Sequence, residues 1–205
     1  MLLHWSPKSP FARKVMIAAH ELALVDRLEL RRTVVRMDNP NLALLKDNPL
    51  GKIPTLVLDD GEVILDSGVI CEYLDALAGG GRLLPASGPA YWRERSRHAM
   101  INGLMELLIL WRNERDKPPE KQTEAWLKAF ELKTSTTLRR FEGDQPPIEG
   151  SLLQLSEITL GCCLSYLDFR FADLAWRDHH PALARWHAVF AARPSARATE
   201  IVADG

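Results

Sequence analysis

The chain is predicted to fold as an α/β unit followed by an all-helical one, and three observations carry that prediction. Over residues 1–77, short strand-like runs alternate with helical patterns in the order strand, helix, strand, hairpin, helix. Beyond Pro89 the apolar spacing is helical almost throughout. Between the two lies the stretch 79–89, rich in Gly, Ser and Pro, whose apolar Leu83-Leu84-Pro85 marks a linker held down by two leucines. The expected division is residues 1–79, a linker over 80–88, and 89–205.

The opening Met1-Leu2-Leu3-His4-Trp5 supplies a first strand over residues 2–5. Ser9 is a preferred N-cap residue and Pro10 suits the first helical position, so a helix is expected over 10–24. Its apolar face is Phe11, Val15, Ala18, Ala19 and Leu22. Residues 28–35 form a second strand with Leu28, Leu30, Val34 and Val35 as apolar positions, and the βαβ unit closes right-handed with parallel strands. A short helical patch at 41–45 precedes the breaker Asn48-Pro49-Leu50-Gly51. Runs at 55–58 and 62–65 flank Asp59-Asp60-Gly61, a hairpin signal, and a helix then opens at Ser67 with Val69, Ile70, Tyr73, Leu74 and Leu77 inward.

In the second part, helices are expected over 92–114 and 120–141, the latter with Trp126, Leu127, Phe130, Leu138 and Phe141 inward. A loop over 143–150 leads to a buried helix over 155–171. The last helix, 181–192, carries Leu183, Trp186 and Phe190 inward.

Composition narrows the functional classes. With 205 residues, 46% of them hydrophobic, the chain can bury a substantial core. Its 26 Lys plus Arg against 27 Asp plus Glu, with no basic stripe, leave no field to recruit nucleic acid or an anionic membrane. There is neither a signal-peptide pattern nor an apolar run approaching the roughly 18 residues of a membrane span, so a cytoplasmic location is expected. Cys71, Cys162 and Cys163 form no C-x-x-C pair and are expected in the core. The closest histidines, His179-His180, lack metal-binding spacing, so no metal is expected.

Two helix starts carry chemistry. At the first, free backbone N–H groups and the positive end of the dipole point at whatever anion lies beside Ser9, whose hydroxyl can donate one hydrogen bond. At the second, Asp66-Ser67 offers a cap and amides suited to a carboxylate, and an aspartate suited to an ammonium. An ordinary capped helix explains Ser67 fully and Asp66 in part. Arg13 opposes the dipole of its own helix, so it serves another purpose: bridging the two units or neutralising an anion near Ser9.

Three motifs in order then become specific: Ser9-Pro10-Phe11-Ala12-Arg13, Asn48-Pro49-Leu50-Gly51-Lys52-Ile53-Pro54-Thr55-Leu56, and Leu65-Asp66-Ser67-Gly68-Val69-Ile70-Cys71-Glu72-Tyr73-Leu74. They resemble the glutathione-site motifs of the cytosolic glutathione S-transferase superfamily, in its bacterial, serine-type form. The resemblance implies a thioredoxin-like N-terminal domain and an all-α C-terminal domain. It implies Ser9 as the catalytic hydroxyl, with Phe11, Lys52, Ile53, a cis Pro54, Asp66 and Ser67 binding glutathione as co-substrate. Lys52, and more weakly Asn39, are candidates for the glycyl carboxylate.

The resemblance further implies a homodimer and an electrophile pocket between the domains. Leu104, Met105, Leu108, Trp111 and Arg112 are candidates to line that pocket, although helix packing accounts for most of them. The implied reaction is conjugation of the glutathione thiolate to small hydrophobic electrophiles. The alternatives are a non-catalytic interaction module of the same fold, or a glutathione-dependent peroxidase or dehalogenase using the same site.

The chain departs from related proteins at two places. Ser9 and Ala12 stand where redox relatives carry the two cysteines of C-x-x-C, which excludes a mixed disulfide there. The family's Ser/Thr-x-x-Asp box before the buried helix is replaced by Gln154 and Glu157. Ser156 is expected to take over the capping.

Overall fold

The computed structural model describes residues 1–145 and 152–202. Four strands, β1 (Leu2–Trp5), β2 (Glu29–Arg32), β3 (Thr55–Val57) and β4 (Val63–Leu65), form one sheet in the order β2-β1-β3-β4. β2 runs parallel to β1, while β3 is antiparallel to both β1 and β4. The helices are α1 (Pro10–Glu21), α2 (Ser67–Leu77), α3 (Gly88–Arg115), α4 (Glu124–Glu142), α5 (Leu155–Arg170), α6 (Trp176–His179), α7 (Pro181–Ala191) and α8 (Pro194–Arg197). This is the thioredoxin-like sheet followed by a helical region that the motifs imply.

Strand alternation explains the two faces of the sheet. Leu3 and Leu56 are register partners, fully buried in the same apolar cluster as Val15 and Ile17 of α1. Their neighbours His4 and Thr55, also register partners, form polar links to the loop that carries residues 47–55. His4 bonds Asp47 through Nε2 at 3.0 Å and Thr33 through Nδ1 at 2.9 Å. The apolar face therefore holds α1, and the polar face positions the loop.

α1 packs against α2 on one side and α5 on the other, and α5 also meets α3 and α7. Such a helix is covered on more than one face, which the apolar run Val15-Met16-Ile17-Ala18-Ala19 requires. Arg13 does bridge: its Nε donates to the carbonyl of Thr199 at 2.9 Å and a terminal nitrogen to that of Ala196 at 3.2 Å. At the other end of α1, the Glu21 carboxylate grips Arg193 at 2.8 Å and Ser195.

Several expectations need correction. β2 is an edge strand of four exposed residues, and Leu30, Val34 and Val35 are exposed, because none of the described elements covers that margin of the sheet. The inward face of α2 is Ile70, Cys71, Leu74 and Asp75, rotated from the expected one, and Val69 is exposed. Trp126 lies 57% exposed, not inward. The expected loop over 143–150 lies outside the described residues from 146 onward.

The start of α5 corrects another. Gln154 is the cap residue after all, and its backbone N–H donates to the Glu157 carboxylate at 2.7 Å. Ser156 sits inside the helix, where Glu94 of α3 accepts both its N–H (2.6 Å) and its hydroxyl (2.9 Å). A carboxylate from a neighbouring helix thus does the work of a cap. Replacing Glu94 by Ala is expected to lower the unfolding free energy by about 1–2 kcal/mol, the range of a lost N-cap, in urea denaturation.

Candidate active site

The turn between β1 and α1 places Ser9 as N-cap. Its backbone is extended (φ −85°, ψ 118°), and its Oγ accepts the N–H of Ala12 at 3.2 Å. The Ser9 N–H donates to the Ser6 carbonyl at 3.1 Å, which closes the turn. A hydroxyl has one donor and two acceptor sites, so Ser9 still has its O–H to give. Phe11, the next side chain of the motif, is half-buried at the same helix mouth.

The second motif is a loop folded around Asn48. The Asn48 amide donates to the Lys52 carbonyl at 3.0 Å and to Thr55 Oγ1 at 2.9 Å, and its oxygen accepts the Leu50 N–H at 3.0 Å. Gly51 adopts φ +60°, which glycine reaches without strain. The loop ends in a cis Ile53–Pro54 bond directly before β3. Ile53 is buried, whereas Lys52 is exposed, as is Asn39 in the preceding loop.

In the third motif the cap is Asp66, not Ser67. Asp66 Oδ1 accepts the Gly68 N–H at 2.7 Å, and its backbone sits at φ +69°, ψ 132°. A non-glycine residue there is strained and persists only because its surroundings hold it. Ser67 is the first residue of α2, and its buried Oγ has no hydrogen-bond partner. Its hydroxyl and the first amides of α2 form a polar cradle at a helix N-terminus, suited to a carboxylate.

Beneath the two helix starts lies a group the sequence reading passed over. Lys14 is fully buried; its Nζ donates to Asn102 Oδ1 at 2.8 Å and lies 3.2 Å from His98 Nε2, both on α3. Burial pushes the Lys14 ammonium below its usual range. Burial, then the Lys14 charge, pushes His98 down to about 3. The His98 ring also sets the distance between α2 and α3, since a Cβ on Gly68 would stand 2.8 Å from its Cε1.

The expected electrophile pocket is redrawn by packing. Met105 and Leu108 have no exposed surface, and Leu104 has almost none. Trp111 is 4% exposed, its ring 4.9 Å from that of Phe171 and 6.4 Å from that of Phe130. It borders two clefts of about 520 and 390 Å³ whose lining includes none of Ser9, Ile53, Asp66 and Ser67. Of the five pocket candidates, Arg112 alone is partly exposed. Burial also pushes the Cys71 thiol up to about 12 and that of Cys162 to about 11, so both stay protonated and inert at neutral pH. Among the described residues no cluster of His, Cys, Asp or Glu could hold a metal ion.

Residues 8–77 match the model of the glutathione S-transferase N-terminal domain. A solved glutathione transferase family member from Pseudomonas fluorescens Pf-5, with bound glutathione, is 40% identical, with a TM-score of 0.93 and 98% of each chain covered. The chain belongs to the glutathione S-transferase superfamily. A second solved family member from Pseudomonas fluorescens Pf-5, with bound S-(propanoic acid)-glutathione, is 37% identical with a TM-score of 0.88, covering 98% of this chain and 100% of that one. An uncharacterized GST-like protein of Escherichia coli K12, YibF, is 29% identical over 189 residues, 90% of this chain and 91% of that protein.

Two outcomes test the packing around the candidate site of this glutathione S-transferase superfamily member. Gly68→Ala forces the His98 ring off Lys14 and is expected to lower stability by about 1–3 kcal/mol, read as a fall in Tm. His98 folds neutral, whereas in the unfolded chain it protonates near its free value of about 6.5. The stability this contributes is complete above that value and is lost as pH falls toward the folded value. His98→Gln is therefore expected to remove about 1.4 kcal/mol per pH unit from the pH dependence of urea melts between about pH 6 and 4.

Proposed function

We propose that the protein is a glutathione transferase in which Ser9 stabilises the ionised thiol of glutathione for attack on a small electrophile. One observation carries this reading: Ser9 Oγ already accepts the Ala12 N–H, so its own proton is free to donate, at the positive end of α1. A free thiol ionises near pH 8.5, and lowering that by two units takes about 2.7 kcal/mol. A hydrogen bond to a charged group contributes about 1.5–3 kcal/mol and a helix dipole up to about 2, so the hydroxyl and the helix together suffice without a base.

The rest of the motif set supplies a grip for the tripeptide. The Ile53 backbone, ahead of β3, pairs with the cysteinyl backbone like an added strand. Asp66 meets the γ-glutamyl ammonium, and Ser67 with the first amides of α2 meets its carboxylate. Phe11 lines the thiol side, and exposed Lys52 reaches for the glycyl carboxylate. The 37% identical relative holds a glutathione substituted at sulfur, which supports a thiol side open to a second substrate. The reading extends to detoxification of such electrophiles by a cytoplasmic homodimer. Residues 1–79 form its glutathione-binding domain, joined by a linker over 80–88 to a helical domain over 89–205.

Calorimetry with millimolar glutathione should detect binding, and turnover of a chlorinated nitroaromatic should accompany it. Ser9→Ala is expected to lower kcat by about 10- to 100-fold, the equivalent of one charge-assisted hydrogen bond, while changing glutathione affinity far less. Binding without turnover would favour the non-catalytic interaction module instead.

A further inference from the structure

Beyond the motifs, the packing of α5 against α1 brings further side chains to the level of the Ser9 turn. Arg82 joins two helix ends: its side chain donates to the Glu21 carbonyl at the end of α1, and its own carbonyl accepts from Gln154 at the start of α5. Next to it, the Leu83 carbonyl accepts the Leu155 N–H at 2.9 Å. Cys162, midway along α5, feels the charges of Arg13 and Lys14 near the start of α1. The two helices are therefore antiparallel. Pro10 lies eleven residues back from Glu21, and Tyr166 lies eleven residues on from Leu155. At about 1.5 Å per residue, Tyr166 stands level with the Ser9-Pro10 turn. Cys162, Tyr166, Phe169 and Arg170 share one face of α5 by helical spacing.

Tyr166 is 1% exposed, and its hydroxyl has no hydrogen-bond partner. Its ring lies 6.5 Å from those of Phe169, which carries the Arg170 guanidinium, and of Phe171, which packs on Trp111 beside Arg112. Burial pushes the Tyr166 hydroxyl up, and the Arg112 and Arg170 guanidinium groups act in the opposite sense. Arg115, Arg177 and Arg193 in the same helical region each hold a carboxylate within 2.9 Å. Arg170 holds none among the described residues; its guanidinium lies 4.1 Å over the Phe169 ring and is exposed. Arg112 donates to Asn113, its Nε is buried without a hydrogen bond, and its nearest carboxylate is the exposed Asp116 at 3.6 Å. Two cations and a buried hydroxyl with no acceptor thus gather at the level of the α1 start.

We propose that the electrophile taken by this site carries a carboxylate, received by the guanidinium groups of Arg112 and Arg170 with the Tyr166 hydroxyl beside them. This rests on the glutathione reading of the Ser9 site. The pairing answers a physical problem, because a thiolate and a carboxylate-bearing electrophile repel each other in a site of low dielectric. Two guanidinium groups offset that repulsion and fix the carboxylate by charge-assisted hydrogen bonds. With an α,β-unsaturated acid, the thiolate sulfur bonds to the β-carbon and the C=C electron pair moves to the α-carbon. The α-carbon then takes a proton from water. The product is a glutathione thioether ending in a carboxylate.

The test compares two thioethers of equal length, S-(2-carboxyethyl)glutathione and S-propylglutathione, by calorimetry on the full chain at low salt. The carboxylate ligand is expected to bind about tenfold more tightly, and the preference to shrink to within about twofold in Arg170→Gln and in Arg112→Gln. Arg170 is exposed, so its variant tests the assignment even where the Arg112 variant folds poorly. Equal affinities in the unmutated protein, or a preference that survives both substitutions, would overturn the proposal while leaving glutathione binding intact. Failure of glutathione itself to bind would instead overturn the reading of the Ser9 site and this inference with it.

Discussion

A single buried ammonium fixes the relation between the sheet-bearing part and the helices that follow. Lys14 reaches from α1 to Asn102 and His98 on α3 with no carboxylate within ion-pair distance among the described residues. Taking a charge out of water is costly, so the arrangement holds only while both α3 acceptors stay in place. Because the His98 ring also rests against Gly68, one cluster sets the separation of α1, α2 and α3. The start of α1, at Ser9, and the start of α2, at Asp66, are positioned by the same contact.

Helix ends in the second part follow a common rule: they are satisfied by carboxylates from other elements. Glu94 of α3 serves the start of α5, and Glu142 of α4 accepts the N–H groups of Ala182 and Leu183 at the start of α7. Glu114 of α3 accepts the Thr123 N–H ahead of α4. Such caps form only when the helices are correctly assembled, so they favour one packing arrangement over its alternatives. They also explain why poor local capping residues such as Gln154 are tolerated.

What could be read from the sequence was what is decided locally. The cap at Ser9, the hairpin at 59–61 and the break at 48–51 depend on residues within a few positions of one another, and the structure keeps them. Asp66 and Ser67 exchanged roles at α2 because either can cap, and a strained backbone at Asp66 decided between them. The inward faces of α2 and α4 were misplaced at Val69 and Trp126, since the number and position of covering elements is a tertiary matter. Lys14, Tyr166 and Arg170 gave no local signal. They gain meaning only from α1 running antiparallel to α5 and from α3 lying beside both. The apolar run 15–19 was the available hint that α1 is covered on two sides, and that a lysine next to it would be covered too.

The connection after α2 is held by its own helix. Both oxygens of the buried Asp75 carboxylate are engaged, Oδ1 accepting the N–H groups of Arg82 and Leu83 at 3.0 Å and Oδ2 that of Leu84 at 3.4 Å. Leu83 and Leu84 are themselves buried. A segment fastened through three consecutive amides makes a poor hinge, so this connection ties the end of α2 to the start of the helical region rather than letting the two swing apart.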